Sequence, residues 1–133
     1  MKTLKIAALV SLVAIPAVAQ ERVPDFFADT YPAYALDEAV AWYGTLTGGK
    51  GSLDAKTREL IMLGVAAQIP CTYCVHGHTR VALAAGATDA EIKDAVAAAA
   101  AVRMWSTVLN GTAYPLEDFK TEFDAIVPLG PTN

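Results

Sequence analysis

Cysteine and histidine are both scarce in this chain, with two of each among 133 residues. So few ligands leave no clear second pair for a structural zinc site, and no metal is expected. Basic clusters are missing too: fourteen acidic residues outweigh ten basic ones for a net charge of −4. That balance excludes nucleic acid and anionic membrane surfaces as natural partners. Nothing matches a phosphate loop, a haem attachment sequence or a nucleotide fingerprint, so no cofactor is expected. Period-two alternation is absent as well, which leaves no strand pattern to compete with helices and makes the fold class all-α.

Apolar length is concentrated at the start. Lys2 and Lys5 precede an apolar run from Ile6 to Ala19, and Ala17-Val18-Ala19 supplies a small-residue cleavage pattern. About 14 apolar residues fall short of the roughly 20 that span a bilayer. Residues 1–19 therefore read as a signal peptide cut before Gln20, and the mature protein is expected to be soluble and periplasmic or secreted. No later segment is a convincing membrane span. Removal of Lys2 and Lys5 leaves eight bases against fourteen acids, a net charge of −6. Residues 20–133 suit one small domain with a single core.

Periodicity and punctuation divide that domain into helices. Asp37 to Leu46 reads as a short helix ended by Gly48-Gly49. Ser52 or Asp54 caps the next, which runs to about Gln68 and is expected to be buried on nearly all sides from Leu60 to Ala67. Pro70 breaks it. A third helix starts near Cys71 and stops at Gly86. Thr88 and Glu91 form a capping box for a fourth, whose inner stripe is Ile92, Ala95, Val96 and Ala99 and which ends near Asn110-Gly111. Its alanine run from Ala95 to Ala101 suits close helix contacts within or between subunits. Leu116 to Ile126 adds a terminal helix. Trp42, Met104 and Trp105 are read as core or subunit-contact residues.

Chemistry gathers in Cys71-Thr72-Tyr73-Cys74, with His78 four residues beyond the second thiol. A dithiol beside a base can form and break a disulfide. At 100° per residue, Cys71, Cys74 and His78 lie at about 0°, 300° and 340°, one sector of roughly 60°. His76, near 140°, points elsewhere and reads as a partly exposed structural histidine. If the helices flanking Ile69-Pro70 fold back as an antiparallel hairpin, Glu59 stands level with His78. A carboxylate at the edge of an apolar run needs a partner. His78 is one candidate, and Arg58 or Lys56 are the alternatives.

Residues 54–91, from Asp54-Ala55-Lys56-Thr57-Arg58-Glu59 through the C-x-x-C and His78 to Ala85-Gly86-Ala87-Thr88 and Glu91, resemble the carboxymuconolactone decarboxylase family. More narrowly they resemble its alkylhydroperoxidase D-like branch, which has a Glu twelve residues before the C-x-x-C and a His four after its second Cys. Glu59, Cys71, Cys74 and His78 meet these spacings. The resemblance implies a helical subunit assembled as a homotrimer or higher multiple, and catalytic roles for all four residues in peroxide reduction. Glu59 and His78 would relay a proton from Cys74, Cys74 would become the sulfenic acid, and Cys71 would resolve it. The physical chemistry is compatible: a free thiol of pKa ~8.5 is only about 3% thiolate at pH 7, and a pKa near 6 raises that to about 90%. Cys71 lies nearer the helix dipole and Cys74 nearer the base, so Cys74 is assigned to peroxide and Cys71 to an external thiol reductant, for which a thioredoxin-like donor is one candidate. Tyr73 stands where the best-known family pattern has His, so that side chain's contribution is lost or changed.

Other classes compete with this reading. A structural disulfide is one, though a loop of about four residues adds only ~2 kcal/mol in the chain-entropy model. Lactone or decarboxylation chemistry, as in the branch that names the family, is a second. A non-enzymatic assembly subunit is a third.

Overall fold

A computed structural model describes residues 22–130. The signal-peptide reading of residues 1–19 lies outside them. All regular structure among the described residues is helical: α1 (Asp25–Ala28), α2 (Ala33–Thr47), α3 (Ala55–Gln68), α4 (Thr72–Ala84), α5 (Asp89–Gly111) and α6 (Leu116–Ile126). No helix among them is long and apolar enough to cross a membrane. Chain contacts define two compact units, one ending at Tyr43 and one beginning at Gly44.

In the first unit, α1 follows Pro24, whose carbonyl accepts the Phe27 and Ala28 N–H groups. Phe27 is its hub, with ring centroids 4.7 Å from Phe26, 5.9 Å from Tyr31 and 6.1 Å from Tyr43. Sequence periodicity missed α1 and started α2 four residues late, at Asp37 instead of Ala33. The Pro32 carbonyl takes the Ala35 N–H, and a proline ring holds φ near helical values, so the helix can begin directly after it.

In the second unit, α3 packs against both α4 and α5. Asp54, rather than Ser52, caps α3 by accepting the Thr57 N–H at 3.0 Å. Leu63, Gly64 and Ala66 are buried, but Ile61 and Val65 are about half exposed. The expectation of burial on nearly all sides is therefore corrected. Two neighbouring helices cover only part of a cylinder, and the remaining stripe of α3 lies open. At Gly64 α5 comes close, since a Cβ there would sit 3.4 Å from the Ala99 Cβ and 3.6 Å from the Ala95 carbonyl oxygen.

The helix stops follow the expected chemistry. Gly86 has φ +88°, its N–H reaches the Leu83 carbonyl at 3.0 Å, and the Ala87 N–H reaches the Ala82 carbonyl at 2.9 Å. Ala82 and Ala87 are both buried, which completes a Schellman turn with its apolar contact. Thr88 and Glu91 form the reciprocal capping box that opens α5. No residue of α5 is buried, and Trp105 is 58% exposed, with Met104 and Trp42 also open. None of the three is a core residue of this chain.

The Glu91 carboxyl also joins α5 to α3. Lys56 Nζ donates to Glu91 Oε1 at 2.6 Å, while the Thr88 N–H donates to Oε2 at 2.7 Å. The Lys56 ammonium first, then the Thr88 N–H and hydroxyl, lower the Glu91 pKa from 4.5 to about 2. A folded-state pKa below the unfolded one stabilises the fold fully above pH 4.5, and the gain is lost as pH falls through about 2. The Tm difference between the wild type and Glu91→Gln is therefore expected to stay level from neutral pH down to about 5 and to shrink below 4.5, read by thermal circular dichroism. A difference that does not change with pH contradicts this account.

Candidate functional site

Cys71 occupies the N-cap of α4 with extended backbone angles, φ −88° and ψ 100°, and its Sγ accepts the Cys74 N–H at 3.2 Å. The two sulfurs are joined in a disulfide with Cα atoms 5.3 Å apart. Both cysteines are partly buried, whereas Tyr73 between them is 90% exposed. The Tyr73 side chain between the two cysteines thus projects into solvent.

One helix away, Glu59 lies on the inner face of α3. Its carboxylate is 4% exposed and its Oε2 is 2.7 Å from Nδ1 of His78, which is 18% exposed. The alternative partners are committed elsewhere. Lys56 pairs with Glu91, and Arg58 donates to the Leu53 carbonyl at 2.6 Å and the Thr47 carbonyl at 3.3 Å. A buried carboxylate needs a partner, and among the three candidates His78 is the one that supplies it. When neutral His78 donates Nδ1–H to Glu59, its Nε2 lone pair is left available to take a proton. The hairpin estimate that set Glu59 level with His78 matches this geometry, and Cys74 lies one turn before His78 on the same helix.

Sequence reasoning missed a clamp behind the disulfide. Arg103 of α5 donates through Nε to Gln68 Oε1 at 2.7 Å and through its guanidinium NH2 to the Gln68 carbonyl at 3.0 Å, while the Gln68 amide donates to the Ala99 carbonyl. These bonds hold the last turn of α3, from which the Ala66 carbonyl takes the Cys71 N–H at 3.1 Å. The contact joins residues 35 apart, a separation that local periodicity cannot register. Also unforeseen is a cleft of about 470 Å³ beside Cys71 and His76. A larger groove of about 750 Å³ runs between α3 and α5, away from the two sulfurs and His78, with Leu60, Ile61, Val65 and Val102 on its walls.

Fold and site together define an all-α protein with a disulfide at a helix start beside a buried carboxylate–imidazole pair. The chain belongs to the carboxymuconolactone decarboxylase family, whose sequence model matches residues 33–117. Its helical bundle is similar to that of the alkylhydroperoxidase AhpD core of Rhodospirillum rubrum, seen in a crystal structure with TM-score 0.64, 28% identity and 74% coverage of each chain. It is also 33% identical over 69 residues to the Paracoccus denitrificans protein called uncharacterized protein 4 in cox locus. That alignment takes in 52% of this chain and 62% of the relative, so it spans less than two thirds of the relative's length.

Proposed function

We propose that this chain is an exported, thiol-dependent oxidoreductase that reduces peroxides through a Cys71/Cys74 dithiol–disulfide cycle. The observation that carries this reading is the Cys71–Cys74 disulfide on the helix that also bears His78, with His78 bonded to the buried Glu59. In the reduced protein, His78 Nε2 takes the Cys74 proton, and Glu59 holds the imidazole and offsets its charge. The Cys74 thiolate attacks the peroxide, the O–O bond breaks, an alcohol or water leaves, and Cys74 becomes a sulfenic acid. The Cys71 thiol displaces water from that sulfur and closes the disulfide. An external thiol reductant, such as a thioredoxin-like donor in the periplasm, supplies two electrons to reopen it.

Assembly as a homotrimer or higher multiple belongs to the same proposal. The open stripe of α3, the α3–α5 groove and the exposed Val102, Met104, Trp105 and Val108 give apolar surface for subunits to cover. Export rests on the leader pattern of residues 1–19.

Purified protein is expected to consume hydrogen peroxide with dithiothreitol as donor, and its disulfide to have a reduction potential above about −300 mV, the range of bonds that turn over. No turnover together with a potential below about −300 mV would mark a structural staple and overturn the proposal.

A further inference from the structure

The arc of α4 that carries Cys74 and His78 leaves the rest of the helix to another task. Measured from Cys71, Val75, Thr79, Thr72, His76 and Arg80 fall at roughly 40° to 180°, away from Cys74 and His78. These five residues wall the 470 Å³ cleft. Cys71 lines it and Cys74 does not, so the disulfide lies on a boundary with the relay on one side and the cleft on the other. The volume is that of a small-molecule pocket.

The ionisable side chains on the cleft wall are basic or sulfur-bearing. Although the chain has fourteen acidic residues, none lines this cleft, whereas Arg80 and His76 both do. Arg58 and Arg103 are bonded to carbonyl or amide oxygens, but the Arg80 side chain is exposed and has no hydrogen bond or ion pair among the described residues. A guanidinium with its fork free, in one cleft with hydroxyls and a reducible sulfur that lies nine residues back, about 13.5 Å along the helix, matches a carboxylate carried some way from a thiol.

We propose that the Cys71 cleft is where the reductant docks, and that it selects a small thiol whose carboxylate stands a chain of several carbons from its sulfur. Arg80 holds the carboxylate, and the Thr72 and Thr79 hydroxyls add donors. The donor thiolate attacks Cys71 Sγ, the S–S bond breaks, and Cys74 leaves as a thiolate that is protonated through His78. A second donor thiolate attacks the donor sulfur of the mixed disulfide and releases Cys71, so two thiols become one disulfide and the protein regains its dithiol. This assignment rests on the thiol-redox part of the function proposed above.

The test omits peroxide. Reduction of the oxidised protein by 6-mercaptohexanoate, 6-mercaptohexanol and 6-aminohexanethiol is followed by mass spectrometry, and rates are compared per thiolate. The wild type is expected to favour the anionic thiol over the neutral one by about tenfold at low salt, the size of one charge-assisted hydrogen bond. That ratio is expected to survive in Arg80→Lys, to fall to about one in Arg80→Gln, and to invert in favour of 6-aminohexanethiol in Arg80→Glu. An equal ratio in wild type and Arg80→Gln overturns the assignment, as does a disulfide that no thiol reduces. Peroxide turnover without charge preference would sink this inference alone, and charge preference without peroxide turnover would sink only the peroxidase reading.

Discussion

Cys74→Ser is expected to lower peroxide consumption to that of the buffer alone, while Cys71→Ser still reacts once. The two sulfurs are equivalent in the bond that joins them and unequal in what surrounds them. Cys74 is followed one turn later by His78, and Cys71 caps the helix beside an open cleft. Peroxide attack needs a thiolate, and in the proposed mechanism the base that generates it is His78, at the Cys74 end. Without added reductant, Cys71→Ser should therefore consume one equivalent of peroxide and stop as a sulfenic acid, because no second thiol remains to resolve it. Labelling with dimedone and peptide mass mapping would place the adduct. An adduct on Cys71 in the complementary Cys74→Ser variant, with retained peroxide consumption, would reverse the two assignments.

Glu59→Gln separates electrostatics from packing. The amide matches the carboxylate in shape and can still accept the His78 Nδ1–H, so the 2.7 Å hydrogen bond has a successor. What disappears is the negative charge that, in the proposed relay, stabilises the imidazolium formed when His78 takes a proton. General base assistance contributes roughly 10²- to 10⁴-fold, so kcat/KM for peroxide is expected to fall about 100-fold, or ~2.7 kcal/mol of transition-state stabilisation. Stability is expected to move the other way or hardly at all, because a buried carboxylate is costly to desolvate and a buried amide much less so. Glu59→Ala removes the acceptor and leaves a hole under α4, so it loses stability as well. Kinetics and Tm measured on both variants check this. Wild-type kcat/KM in a folded Glu59→Gln protein would remove Glu59 from the relay.

Legibility in the sequence followed the range of each interaction. The capping box at Thr88 and Glu91, the left-handed stop at Gly86 and the register of Cys71, Cys74 and His78 all lie within a turn or two of one helix. Backbone geometry alone relates such residues, so spacing is enough to place them. The start of α2 was missed because apolar period is a weak marker at helix ends, where Pro32 set the boundary instead. Trp105 and Met104 illustrate another limit. Helical spacing says that they share a face, but whether anything covers that face depends on neighbours, and in this chain it lies open.

The sequence by itself determined the helical class, the helix stops and the presence of a dithiol with a base one turn away, since these follow from local backbone chemistry. Only the tertiary structure decided the partner of Glu59. Arg58, Lys56 and His78 were all within reach on paper, and folding sent Arg58 to the Leu53 and Thr47 carbonyls and Lys56 to Glu91. Tertiary packing likewise made the two sides of the disulfide different. Burial between α3 and α4 pairs the carboxylate with His78, while the far arc of α4 leaves Cys71 beside a cleft walled also by Ala67 and Pro70, with the Arg80 side chain unpaired among the described residues.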